Sequence, residues 1–403
     1  MEPTLFDPSS CKILFVVGGA SLWRKMNTGN EDLAWALAEA GVEVHILAGG
    51  TPPEEHSYEI PSRVRYHFTQ KTSGKAIPGD HVELFRELTQ EFDFDFVIGW
   101  MLYLEPILRD PSTRRAGTKF LANEGYISKD HRNTFSRFKH SIAALFGHEF
   151  TRSRGRGPVA AWKGLGSTGE LIDFAVPISR AVMKNCREFY GIPEDKCKVI
   201  YGGVDLSLFA PDDTVDRRKL KSPPRLIFTG NIAATKGIMD VIDGMQFVDT
   251  PVEIVLCGND KHDLLRQAEA RLKSFNKGHN LVYKGSLGHD ALAAELKASD
   301  IFVFCSWSEG LGKSLLEAMA CGLPVIVSNI DVFGEFITDG SNGLVVPVKS
   351  PGSIAMAIES LLDDPELREK CGRGAVKTME NFSISKEAQQ WIDLFSELKG
   401  SVS

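Results

Sequence analysis

Ser306-Trp307-Ser308-Glu309-Gly310-Leu311-Gly312-Lys313-Ser314-Leu315-Leu316-Glu317-Ala318-Met319-Ala320-Cys321-Gly322-Leu323-Pro324 sets two carboxylates eight residues apart across a glycine-rich turn. The apolar run Ile301–Cys305 before it reads as a strand, and a helix is expected from Lys313 or Ser314. The free backbone N–H groups and the positive dipole end of such a helix suit a phosphate. Gly310 and Gly312 let a ligand come close to the backbone. A carboxylate beside a phosphate is unfavourable in Coulomb terms, so Glu309 and Glu317 suit polyol hydroxyls better: Glu309 those of a transferred sugar, Glu317 those of a ribose. The plain alternative is that Glu309 caps the helix and Glu317 is solvated.

Outward from this stretch the same theme recurs. Cys11–Gly19 is a short apolar strand ending in Gly18 and Gly19, followed by a helix over Glu31–Ala40 and a strand over Val42–Leu47. It restarts at Arg225–Gly230, with a helix from Ile238 and a strand over Val252–Gly258. Strands at Asn280–Tyr283, Ile301–Cys305, Pro324–Ser328 and Gly343–Pro347 follow. Strands without alternation, separated by helices, predict parallel sheets covered on both faces, in two doubly wound α/β domains. The domains are expected at residues 1–211 and 212–380, with Asp212–Pro224 as linker. A final helix near Ser385–Leu398, in the segment 381–403, carries Ala388, Trp391, Ile392, Phe395 and Leu398 and is expected to pack back on the first domain.

Thr229-Gly-Asn-Ile-Ala-Ala-Thr-Lys-Gly237 suggests a second anion site, in which Gly230 ends a strand and Lys236 precedes a helix as a mobile point charge. Taken alone, Lys236 reads equally as a surface lysine. Residues 119–163 carry nine Lys/Arg against three Asp/Glu, a solvated loop or a basic docking surface.

Composition narrows the classes. The chain has 403 residues, enough for two cores, and a net charge of -7, which gives no support for a nucleic-acid binder. Seven scattered cysteines without a C-x-x-C pair fit reduced, buried thiols. The acidic, proline-bearing start does not read as a signal peptide, and no apolar run spans a bilayer, so any membrane contact is expected to be peripheral.

In order and spacing, Val176-Pro-Ile-Ser-Arg180, Tyr190–Pro193, Val199–Asp205 with Phe209, Gly230 with Lys236-Gly237, and Gly285-Ser-Leu form a series. It continues through Ala298-Ser-Asp300, Glu309–Val325, and Glu335 with Asp339–Val345. Over residues 171–347 the chain thereby resembles the retaining glycosyltransferases of family 4 with the GT-B fold, two Rossmann-like domains facing across a deep cleft. The resemblance implies an enzyme using a UDP- or GDP-linked sugar as donor and a glycan, lipid-linked or small-molecule hydroxyl as acceptor, and the reduced thiols lead to the expectation that it is cytoplasmic. It implies no tightly bound cofactor and no metal.

By the same resemblance, Glu309 contacts the donor sugar and Glu317 the ribose. Backbone amides near Gly312, Lys313 and Ser314 hold the diphosphate or sugar, Lys236 balances the leaving phosphate, Gly230 belongs to the donor-binding set, and Gly18 and Gly19 lie beside the donor phosphate and acceptor. The chain departs from the pattern at Asn231, where an arginine is usual, with Lys313 a candidate substitute. It departs again at Phe120–Gly125, where Asn123 or Glu124 stands for an acceptor-side histidine. His131 and His140, in the basic segment, read as surface or packing histidines. A sugar- or nucleotide-binding protein without transferase activity is the alternative. A dehydrogenase is disfavoured because Gly18-Gly19 is no G-x-G-x-x-G.

Overall fold

The computed structural model describes residues 6–17, 30–50, 59–69, 80–113, 116–123, 168–212, 214–260 and 263–400. Gly18, Gly19, Glu124, His131, His140 and most of the basic segment lie outside them. The described chain forms two compact units: one runs to Tyr201 and resumes at Glu387, and the other is Gly202–Lys386.

In the first unit the elements are β1 (Lys12–Val17), α1 (Asn30–Glu39), β2 (Glu43–Ala48), β3 (Val64–Phe68), α2 (Asp80–Glu91) and β4 (Phe96–Gly99). They continue with α3 (Met101–Arg109), β5 (Lys119–Ala122), β6 (Phe174–Ala175) and α4 (Arg180–Tyr190). The strands pair in parallel in the order β3-β2-β1-β4-β5-β6. Side chains alternate faces along a strand, and both faces are covered. Ile13, Phe15 and Val17 thus enter one buried cluster, while Leu14 and Val16 enter another. That double burial is why β1 reads as an unbroken apolar run.

The second unit repeats this plan with β7 (Arg225–Thr229), α5 (Ile238–Gly244), β8 (Glu253–Cys257), α6 (Leu264–Ser274), β9 (Asn280–Gly285) and α7 (His289–Lys297). After these come β10 (Ile301–Phe304), α8 (Lys313–Ala320), β11 (Val325–Ser328), β12 (Leu344–Val346), α9 (Pro351–Asp363) and α10 (Pro365–Met379). Its parallel order, β12-β11-β10-β7-β8-β9, is the mirror listing of the first. In each sheet the chain therefore departs in opposite directions from two central neighbours, β1 and β4 or β7 and β10. Open α/β sheets bind ligands beyond the carboxyl ends of the strands at this point.

The segment Asp212–Pro224, read from sequence as a linker, is held on the second unit. Arg217 donates to the carbonyls of Ser299 and Cys321, at 2.6 and 3.0 Å. Buried Arg368 reaches the carbonyls of Arg217 and Arg218. The Asp300 carboxylate accepts from the N–H groups of Lys221 and Arg225. These two arginines, each satisfied by carbonyl oxygens, fix the segment without needing an apolar face.

The helix α11 (Ile384–Gly400) contributes from Glu387 onward to the first unit. Trp391 and Phe395 are buried there, and Phe395 stacks on Phe96 at 4.5 Å between centroids. Lys119 donates to the Leu398 carbonyl at 2.6 Å, and Lys399 pairs with Asp95 at 2.7 Å. Trp391→Ala is expected to cost about 3–5 kcal/mol of stability, measured by denaturant unfolding.

All seven cysteines are free, and only Cys197 is not fully buried. Burial pushes the Cys11, Cys257 and Cys321 thiols up to about 12, far from reactive thiolate. Alkylation of the native protein near neutral pH, followed by peptide mass spectrometry, should label Cys197 first.

Candidate functional site

The carboxyl edge of the second sheet is built on glycines. Gly230, Gly258 and Gly285 follow or end β7, β8 and β9, all at positive φ. A β-carbon on Gly258 would lie 1.7 Å from the Gly230 carbonyl oxygen, so nothing larger fits. The Gly230 N–H donates to the Cys257 carbonyl at 2.9 Å, and that of Gly258 to the Gly285 carbonyl at 2.7 Å. The three turns thus close into one backbone-lined crest.

Beside it, β10 runs into the loop 305–312. Gly237 takes a left-handed conformation with φ 71°, and a β-carbon there would meet the Cys305 carbonyl oxygen at 2.0 Å. Trp307 N–H donates to the Thr235 carbonyl at 2.8 Å, and Ser306 Oγ reaches the same oxygen at 3.2 Å. The two predicted anion loops are therefore zipped together by backbone. Their meeting puts Lys236 Nζ 2.6 Å from Glu309 Oε1, with the carboxylate almost wholly enclosed and the ammonium a quarter exposed. The ammonium also lies 5.8 Å from the Phe304 ring centroid. Enclosure strengthens this pair, and it leaves Lys236 able to swing toward an anion.

Helix α8 starts at Lys313, with Gly312 as its N-cap at φ 85° and no capping side chain. Glu309 is thus no cap: its carboxylate belongs to Lys236. Lys313 and Ser314 are half-buried in the first turn, and Ser314 Oγ sits 3.7 Å from the position of a Gly230 β-carbon. Glu317, one turn further, is fully buried, which removes the reading of a solvated side chain. Asn231 is exposed next to Gly230. The structure thereby gathers Gly230, Lys236, Glu309, Gly312 and Ser314 on one edge, where β7 and β10 part. This edge can present main-chain donors, a mobile cation and an oriented carboxylate to a polar, anionic ligand.

Sequence reasoning missed the bracket that stiffens the Glu309 loop. Trp307 Nε1 donates to Asp240 Oδ2 at 2.6 Å, and Lys349 lies 4.0 Å from the Trp307 ring centroid. Asp240 is 67 residues away along the chain, and nothing in the local pattern announces it. The resemblance pieces also include residues whose work is structural. Ser179 caps α4 by accepting from the Val182 N–H, and the buried Asn342 amide bonds Thr338, Phe336 and Thr378. Gly203 is required because Ile384 backbone lies 2.6 Å from its missing β-carbon. Among the described residues there is no cluster of three or more His, Cys, Asp or Glu able to hold a metal ion, and no helix long and apolar enough to cross a membrane.

Residues 212–378 match the family model described as glycosyl transferases group 1. An uncharacterized glycosyltransferase of Methanocaldococcus jannaschii is 28% identical over 243 residues, 57% of this chain. The match spans 61% of that relative's length. A D-inositol 3-phosphate glycosyltransferase of Paenarthrobacter aurescens is 25% identical over 402 residues, covering 92% of both chains. In fold, the chain resembles a sucrose-phosphate synthase of Thermosynechococcus elongatus with a TM-score of 0.77 at 20% identity, over 97% of this chain and 100% of that one. It also resembles Anabaena HepE, solved with UDP and glucose, with a TM-score of 0.73 at 16% identity, over 96% and 99% of the two chains.

Gly237→Ala is expected to destabilise the protein by upward of about 2 kcal/mol in denaturant unfolding, because the new methyl meets backbone that cannot yield. Gly352→Ala, in the first turn of α9 with open space around it, should leave the midpoint unchanged or slightly raised.

Proposed function

We propose that this chain, whose residues 212–378 match the model of glycosyl transferases group 1, is a family 4 enzyme of the GT-B fold that moves a sugar from a nucleotide-diphosphate sugar to an acceptor hydroxyl. The observation that carries this reading is the Lys236–Glu309 pair held beside the Gly312 cap of α8. It supplies a cation for the leaving diphosphate and a carboxylate for sugar hydroxyls within one enclosed edge. The second unit would hold the donor and the first would take the acceptor. A UDP- or GDP-linked hexose is the donor class proposed, and the Paenarthrobacter aurescens relative is by name a D-inositol 3-phosphate glycosyltransferase.

In the reaction, the bond between the anomeric carbon and the diphosphate oxygen breaks, and the electron pair leaves with the diphosphate. The acceptor oxygen forms the new bond to the same carbon. Its proton passes to the departing phosphate oxygen, which gives retention when both events share one face of the sugar. Lys236 and the first-turn N–H groups of α8 would stabilise the growing negative charge. Glu309 would orient the donor sugar without acting as nucleophile, and Glu317 would accept from the ribose. Lys313 offers a second cation where Asn231 supplies none. Gly18, Gly19 and Glu124 lie outside the described residues; the resemblance alone suggests them for the phosphate and acceptor side.

Purified protein given UDP- and GDP-hexoses with polyol, glycan and lipid-linked acceptors should form a mass-shifted product. Glu309→Gln should lower turnover about 10²–10³-fold with donor affinity nearly kept. Glu317→Ala should instead weaken nucleotide binding about ten- to hundredfold by calorimetry. Nucleotide-sugar binding without any transfer or donor hydrolysis would mark a binding protein and defeat the proposal.

A further inference from the structure

The first sheet has its own ligand edge, where β1 and β4 part. The register Val16↔Gly99 brings Trp100, directly after β4, level with the end of β1. Trp100 opens α3 and is 42% exposed, one of few large hydrophobic side chains so placed among the described residues. It is not loose. Its ring stacks on Tyr103 at 6.3 Å between centroids and 26° between planes. Tyr103 in turn leans on the buried His81 ring at 5.7 Å, and the His81 Nε2–H donates to the Val17 carbonyl at 3.0 Å. A chain of rings thus ties the exposed indole to the last residue of β1. Asn123, buried, stands just after β5 with its N–H on the Gly99 carbonyl at 2.9 Å.

Neither the Trp100 indole N–H nor the half-buried Tyr103 hydroxyl donates to any described residue. Burial raises the Tyr103 phenol, so its hydroxyl keeps a proton to give. Tryptophan and tyrosine offer an apolar face with a polar rim. The matching ligand carries C–H groups on one face and hydroxyls around its edge.

We infer that the Trp100–Tyr103 pair is a platform for a six-membered polyhydroxylated ring of the acceptor, stacked on the indole and hydrogen-bonded at its rim. This rests on the reading that the first unit takes the acceptor, and it narrows that acceptor to a pyranose or cyclitol. A flexible lipid tail would use the aromatic face yet leave both donors unmet, which costs free energy when water is expelled.

The test is saturation-transfer NMR on the full chain without donor, using the methyl α-glycosides of glucose, mannose and galactose, and myo-inositol. At least one ring should receive saturation on its C–H protons. Trp100→Ala should weaken that contact about tenfold, Trp100→Tyr should restore most of it, and Tyr103→Phe, which removes one oxygen only, should weaken it several-fold. UDP and GDP binding, measured in parallel, should be unchanged in all three variants. The proposal is overturned if no probe binds, if Trp100→Ala and Tyr103→Phe both bind like wild type, or if Trp100 instead governs co-sedimentation with anionic phospholipid vesicles. A failure of the donor reading would show separately, as absent nucleotide-sugar binding with the ring contact intact.

Discussion

The candidate donor edge depends on two places where backbone touches backbone. Gly258 lies against the Gly230 carbonyl, and Gly237 lies against the Cys305 carbonyl, each too close for any β-carbon. The second contact lets the loop after β7 and the loop after β10 share hydrogen bonds through Thr235, Ser306 and Trp307. Without that closeness Lys236 and Glu309 would stand on separate loops. With it they meet at 2.6 Å inside a largely enclosed edge. Two side chains of opposite charge are then fixed by main-chain geometry, which costs less ordering entropy than two free loops would.

Rigidity comes from both sides of the sheet. Phe304 stacks on Phe228 and touches Phe333, whose ring approaches Gly312. An aromatic row therefore supports the start of α8, while the Trp307–Asp240 hydrogen bond and Lys349 steady the Glu309 loop from its other end. The first unit uses the same parallel topology but dresses its ligand edge with rings. Two copies of one fold thus differ in the residues that follow their central strands.

Much of the fold was legible because parallel strands buried on both faces leave unbroken apolar runs. Lys12–Val17, Arg225–Thr229, Glu253–Cys257 and Ile301–Phe304 appear within a residue or two of their expected places. The strands that escaped notice were short or half-polar. β4 has four residues, β6 has two, and β3 carries Arg65 and His67 on a half-buried edge. Their strand character comes from pairing with neighbours, which no local pattern records. The helix start at Lys313 was equally legible, because a glycine-rich turn without a capping side chain allows little else.

By itself, the sequence determined the two-domain parallel architecture, the positions of the glycine turns and the candidate pair of carboxylates. Those follow from local physics: hydrophobic periodicity, missing β-carbons and spacing along one helix. Only the tertiary structure decided that Glu309 bonds Lys236, that Glu317 is interior, that Asp212–Pro224 is anchored by Arg217 and Arg368, and that Trp100 rests on a chain of rings. The Lys236–Glu309 pair, the two arginine anchors and the contact of Tyr103 with His81 join residues distant in sequence, brought together by crossover connections between strands that neighbour in the sheet but not in the chain. Spacing in the chain carries no trace of such meetings, so their chemistry becomes visible only once the sheet order is known.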